Sequence, residues 1–347
     1  MKTLKSLAIL TGLALGVSVL AWHAPVRAAD GPYKLLTEIK IGTDGGWDYA
    51  SVDSAAKRLF VSHATSVVVI DTEKNAVVGG IAPTPGVHGI AVAPDLGRAF
   101  VSNGRENTAA IVDLKTLKIV ASVETGQNPD AILYEPAHQE VYTFNGRGKS
   151  ATVIDAVAGT VKATIALPGK PEFAVVDVKA GRIYNNIEDT STIVAIDTTT
   201  HKVVNTWPIA PGEGASGLAI DLANHRLFTV CDKVMVMLDS TTGKVLGTLA
   251  IGDGPDAAAY DPGTGYVFAS ASDGTMTVAK VDAGKLVQVQ KLATPQRTRT
   301  MTIDPATHRL YAAAADFKPG PAGADGKPGR STLVPGSFRV MVYELVR

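Results

Sequence analysis

The chain has 347 residues, of which 46% are hydrophobic and 19% charged; its 33 basic and 33 acidic side chains cancel to a formal charge of zero. That balance removes any global attraction to nucleic acid or anionic lipid. Cys231 is the only cysteine, so no intrachain disulfide framework is available and stability has to come from packing.

Residues 1–28 read as an export signal peptide: Lys2 and Lys5 precede the apolar run "LAILTGLALGVSVLAW", and Val26 and Ala28 occupy the −3 and −1 positions of a cleavage site. The mature chain then starts near Ala29, with a formal charge of −3 once Lys2, Lys5 and Arg27 are gone. No later stretch is long and apolar enough to span a bilayer. A periplasmic or secreted protein is therefore expected, with residues 29–347 forming one domain. The first strand after the leader is "YKLLTEIKI", residues 33–41.

From there the chain repeats. Six segments, among them "VVVIDTEKNAVV", "AAIVDLKTLKIV" and "IVAIDTTTHKVV", align on Asp71, Asp113, Asp155, Asp197, Asp239 and Asp282, at steps of 42, 42, 42, 42 and 43. So regular a period marks an array of one supersecondary unit. "VVVID" has strand composition and no helical period. Asp followed by Thr, Lys or Gly makes a hairpin turn, because its carboxylate can accept a hydrogen bond from backbone two residues on. Upstream segments such as "GIAVAPDLGRAFVSN" are also strand–turn–strand. Phe60, Phe100, Tyr142, Tyr184, Phe228, Phe268 and Tyr311 mark seven second strands. Each unit is a four-stranded antiparallel meander, and small residues in the first strand suit the axis of a ring.

The fold class expected is therefore all-β, a seven-bladed propeller. Six units are complete and the last stops after its third strand. Residues 33–41 are predicted to supply the missing outer strand and close the ring, leaving only short edges and a monomer. A Gly/Pro-rich insert, residues 316–337, interrupts the last blade. Its composition is that of a flexible loop; a lid over the mouth, presenting Lys318, Lys327 and Arg330, is the functional alternative.

The segments "AVAPDLGRAFVSN" and "AAIVDLKTLKIVASVETG" resemble the WD40-like YVTN repeat of the YncE-like seven-bladed propellers. The resemblance runs over essentially all of residues 41–347. It implies the fold and says little about activity, because propellers host many functions.

Inner strands begin on the face where second strands end, here called the top. Five residues back from the end of each inner strand stand Asp48, His88, Asp130, Glu172, Ser216, Asp256 and Arg299, all polar. This predicts a polar ring around the top mouth and makes the seven residues ligand-binding candidates. His88 falls between Asp48 and Asp130, and Asp130 neighbours the like charge of Glu172, which raises a pKa or recruits a cation. A second set lies beside the ring: Trp47, His63, Asn103, Arg105, Asn145, Arg147 and Cys231. For the asparagines the bland expectation is a turn bond to backbone, and for Cys231 burial as a small hydrophobe.

His88, Asp48, Asp130 and Glu172 would suit Ca²⁺, Mg²⁺ or Zn²⁺ if they converge. Only His63 and His88 reach the top face, which argues against a multi-histidine copper cluster. No "HExxH", Walker loop or "GxSxG" is present. A triad of Ser216, His88 and Asp130 would need blades 2 and 5 to meet across the ring. The expectation is an exported, non-enzymatic binding or scaffold propeller that takes a small molecule or protein partner at its top face. A metal-assisted, lactonase-like hydrolase is the alternative. Nucleic-acid binding is a weaker one, given the charge and few aromatic residues.

Overall fold

The computed structural model describes residues 31–320 and 329–346; the expected signal peptide, its cleavage site at Ala29 and Lys327 of the insert lie outside the described residues. Apart from a 3-10 turn at Pro94–Leu96, every regular element described is a strand. Among the described residues no helix is long and apolar enough to cross a membrane.

Seven four-stranded antiparallel sheets form the blades. Blade 1 comprises Trp47–Asp53, Arg58–His63, Ser66–Asp71 and Ala76–Ile81. Blades 2 to 6 repeat this order, with inner strands at Val87–Ala93, Pro129–Glu135, Pro171–Asp177, Leu218–Asp221 and Pro255–Asp261. Blade 7 takes Met301–Asp304, Arg309–Ala314 and Arg339–Leu345 from the end of the chain and Tyr33–Lys40 from its start. Each inner strand packs on the next, from blade 1 to blade 7 and back to blade 1.

Five of the six repeat aspartates form the turns predicted for them, whereas Asp282 pairs with Lys285 around a two-residue turn. Asp71, Asp113, Asp155, Asp197 and Asp239 each accept hydrogen bonds from backbone N–H groups two or three residues on. These bonds, joined and led by the Thr116 hydroxyl at Asp113 and the Thr241 hydroxyl at Asp239, hold all five carboxyls below the usual range. At the foot of the inner strands a second row of carboxylates does similar work: Asp53, Glu135, Asp177, Asp221, Asp261 and Asp304 are buried and accept backbone N–H bonds from the following turn. His138 and His308 belong to this bottom face, on Glu135 and Asp261.

The core lies between blades. Seven apolar clusters correspond to the seven blade–blade interfaces. The seven aromatic anchors of the second strands are all buried within them. Closure is secured twice over. Tyr33–Lys40 pairs antiparallel with Arg339–Leu345, from Tyr33 opposite Leu345 to Lys40 opposite Arg339. From the neighbouring blade, Gln290 accepts from Tyr33 N (2.9 Å) and donates to Tyr33 O (2.7 Å), and the Tyr33 ring meets Phe268 edge-on at 5.2 Å.

The insert departs from a loop at both ends. Phe317–Gly320 and Gly329–Leu333 pair as a short antiparallel hairpin. Its base is anchored by apolar contact: Phe317 and Leu333 pack on the cluster between blades 7 and 1. Arg297 lies over the Phe317 ring at 4.5 Å and donates to Ser331 Oγ at 2.6 Å. The sequence pattern concealed these strands because Gly and Pro dominate between them. Lys318 is exposed and forms no ion pair among the described residues.

Candidate functional site

The ring positions owe their orientation to a repeated irregularity. In blades 1 to 4 the register slips between Trp47 and Ala50, Val87 and Ile90, Pro129 and Ile132, and Pro171 and Ala174. Two inner-strand residues there oppose one on the second strand, the arrangement of a β-bulge, which bends a strand and re-aims a side chain. The first residue of each bulge is the ring residue: Asp48, His88, Asp130 or Glu172. In blade 6 the slip falls at Asp256, between Pro255 and Ala257. In blades 5 and 7 the inner strands are short, and Ser216 and Arg299 precede them.

Bulges leave backbone groups to satisfy. Asp48 N donates to Ser62 Oγ and Gly89 N to Ser102 Oγ, both at 2.8 Å. Three second-strand side chains also reach the ring residue of the following blade: Ser102 Oγ donates to Asp130 O (2.6 Å), Asn186 Nδ2 to Ser216 O (2.8 Å), and Ser270 Oγ to Arg299 O. These buried polar groups fix the ring from behind. In the sequence they pass for ordinary repeat residues.

The ring resolves into four parts. First, His88 Nδ1 lies 2.7 Å from Asp48 Oδ2 and 3.6 Å from Asp130 Oδ1, all three side chains half-buried. Second, Glu172 turns to Lys170, at 2.6 Å from Nζ, and Lys170 also binds Glu188. Third, Arg299 Nε approaches Asp256 Oδ2 at 3.5 Å. Fourth, Ser216 Oγ donates to Pro255 O at 3.2 Å, so it is tied to the wall and does not join a triad with His88. Lys170 precedes the polar slot and therefore escapes a slot-by-slot reading of the sequence.

Beneath the mouth the residue after each ring position is small in five blades; the exceptions are Tyr49 and Phe173. Their rings meet across the channel, 5.4 Å apart, although they belong to blades 1 and 4. The mouth is thus a cup with an aromatic floor. This contact joins residues far apart in the ring and has no signature in local spacing.

Electrostatics follow from burial. Burial raises the pKa of Asp48 and Asp130, and their like-charged neighbours add to the rise. Burial and then Asp130 push Glu172 up against the pull of Lys170, and burial raises Asp256 against Arg299. For His88 burial acts downward, but the Asp48 hydrogen bond and the charges of Asp130, Asp48 and Glu172 prevail and hold it above its ordinary value.

The secondary candidates divide. Trp47 and His63 form the footing of the insert: Trp47 lies 5.1 Å from Phe338 and 6.2 Å from Phe317, and His63 stacks on Phe338 at 3.9 Å. Asn103 and Asn145 are buried and bond across their own hairpins, to Thr108 and to Ser150 and Thr152. Cys231 is buried, and burial pushes its thiol up to about 11, which leaves it a poor nucleophile. Arg105 and Arg147 stay exposed and, with Asn107, Gln127 and Asn128, line a cleft of about 420 Å³ on the rim between blades 2 and 3. A Cβ at Gly104, in the wall of that cleft, would lie 2.6 Å from His88 Nε2, so the imidazole is backed by glycine backbone.

Fold and site together define a seven-bladed propeller with a polar, floored cup on its top face. No family model matches the chain. Over 145 residues it is 27% identical to the protein YncE of Salmonella typhi and equally to that of Salmonella typhimurium, a span of 38% of this chain and 40% of each relative's length. This similarity and the seven blades are what the chain has in common with the YncE-like propellers, and the match spans less than half the length of those relatives. Among solved structures, a chain of the Kuenenia stuttgartiensis hydrazine synthase superposes with a TM-score of 0.70 at 16% identity, over 85% of this chain and 97% of that one. A chain of the mitotic checkpoint complex does so with a TM-score of 0.72 at 12% identity, over 97% and 99%. At such identities the two share the fold alone.

Proposed function

We propose that this chain is an exported binding propeller that takes a small molecule or a protein partner in its top-face cup. The observation that carries this is the repeated bulge, which turns polar side chains from successive blades to one mouth although burial there penalises their charges. Propeller fold and YncE-like kinship support a binding module. Export rests on the leader pattern of residues 1–28.

The test is a ligand-detected NMR screen of small amines, carboxylates, sugars and lactones against the wild type. Asp256→Ala and Arg299→Ala serve as top-face variants, and His308→Ala as the bottom-face control. Ligands lost in the first two and kept in the third support the reading; ligands indifferent to all three overturn it. Lactone hydrolysis abolished by the same top-face changes would put the hydrolase in its place. Cell fractionation with N-terminal sequencing tests export, with Ala29 the expected first residue.

A further inference from the structure

We infer that Asp48, His88 and Asp130 form a binding site for one divalent transition ion of the zinc type, with its remaining coordination position open to the mouth. The inference rests on the reading of the top cup as the working site and narrows it to a ligand set.

Three adjacent blades each supply one donor, and one nitrogen and two carboxylate oxygens lie within 4.8 Å of one another. Ligands about 2.0–2.2 Å from a tetrahedral zinc ion stand roughly 3.4 Å apart. The present separations of 2.7 and 3.6 Å from His88 Nδ1 bracket that value, so a small rotation of Asp48 admits the ion. A nitrogen donor suits zinc and its neighbours, whereas Ca²⁺ and Mg²⁺ take oxygen shells.

The surroundings favour an ion here and nowhere else in the ring. Five carboxylates, Asp48, Asp130, Glu172, Glu188 and Asp256, face two permanent cations, and both cations are engaged elsewhere, Lys170 by Glu172 and Glu188, Arg299 by Asp256. Among the described residues, His88 is the one ion-pair partner that Asp48 and Asp130 have. Glu172, a candidate by sequence, is drawn off by Lys170 and is not a ligand. Gly104 leaves room for the Nε2 edge of the ring, where a Cβ would lie 2.6 Å away, and Nδ1 faces the two acids. The Tyr49–Phe173 ring pair closes the channel below the ring, which leaves the mouth side for a water or an organic ligand. Three protein ligands and one open position are the pattern of zinc sites that bind exchangeable groups.

The test uses the full mature chain, stripped with a chelator, and Zn²⁺ alone as probe. Calorimetry and metal analysis are expected to give one Zn²⁺ per chain, with Ca²⁺ and Mg²⁺ failing to compete. Asp48→Asn, His88→Gln and Asp130→Asn should each weaken binding by more than about tenfold, while the bottom-face change His308→Ala stays within about threefold. Absence of Zn²⁺ binding, or binding indifferent to the three ligand variants, overturns the inference. Should those variants misfold, Co²⁺ loaded into the wild type decides. A spectrum of mixed nitrogen and oxygen ligation supports the site; a thiolate charge-transfer band would move the ion to Cys231 and overturn it. Failure of zinc alongside organic ligands lost in Asp256→Ala would remove this inference and leave the binding cup. Zinc bound by a protein that takes no organic ligand would do the reverse.

Discussion

His88 shows how a single side chain records opposing forces. Burial alone would make its imidazole harder to protonate, and the acids on either side outweigh that. In metal-free protein, an NMR titration of the His88 ring should therefore give a midpoint above the reference of about 6.5. Asp48→Asn removes the hydrogen bond that leads the rise but leaves burial in place, so the midpoint should fall. The stability contributed by His88 is fully present below its unfolded midpoint and lost as pH rises through the folded one. The raised carboxyls work the other way: ionising Asp130 in place costs stability, which therefore declines as pH rises from its unfolded value to its higher folded value. An Asp48→Asn protein with an unmoved His88 midpoint would show that the two are not coupled in solution. The slot holding His88 was readable because the same position is polar in every blade. Lys170, Tyr49 and Phe173 were not readable, because each acts outside that slot, one by reaching back from a turn and two by meeting across the axis. The second-strand polar residues Ser102, Asn186 and Ser270 were visible but mute; their role appears only once the bulges are known.

Among the elements, the strand Tyr33–Lys40 and the insert hairpin make an instructive pair, since both lie in blade 7. The strand has a ladder on one side broken only at Leu36, two buried apolar anchors in Tyr33 and Ile39, and Gln290 clasping its first residue from the next blade. Removing residues 33–40 should cost at least about 5 kcal/mol and cause aggregation, because ladder bonds, packing and edge protection are lost together. Joining Gly320 to Gly329 by a short turn should cost less than about 1 kcal/mol, since loop length enters only logarithmically and Phe317, Ser331 and Leu333 remain. Thermal unfolding of the two deletions settles both: comparable melting temperatures would mean that the ring does not depend on its closing strand. The closing strand was legible from arithmetic, three strands at one end and one at the other. The hairpin was not, because turn-forming composition masks short strands anchored by a single Phe and a single Leu.

At the scale of the molecule, the spacing of Asp71, Asp113, Asp155, Asp197, Asp239 and Asp282 carried nearly the whole architecture. Each unit buries its faces only against its neighbours, and the seven apolar clusters at seven interfaces are the physical expression of that period. Such a ring has a consequence in time. Blade 7 joins the first strand of the domain to the last, so Tyr33–Lys40 is made early and satisfied late, its pairing waiting for Arg339–Leu345. Long-range closure of this kind slows folding, because the chain must be gathered before the contact rewards it. A circular permutant that links Leu345 to Tyr33 through a short turn and opens the chain between Ile81 and Val87 would turn that pairing into a local hairpin. It should keep the same ring and refold faster, in a stopped-flow comparison with the original order; equal rates would show that gathering the two ends is not the slow step. A closed circle of blades has no privileged starting point, and the order in which this one is assembled is a property of where the chain is cut.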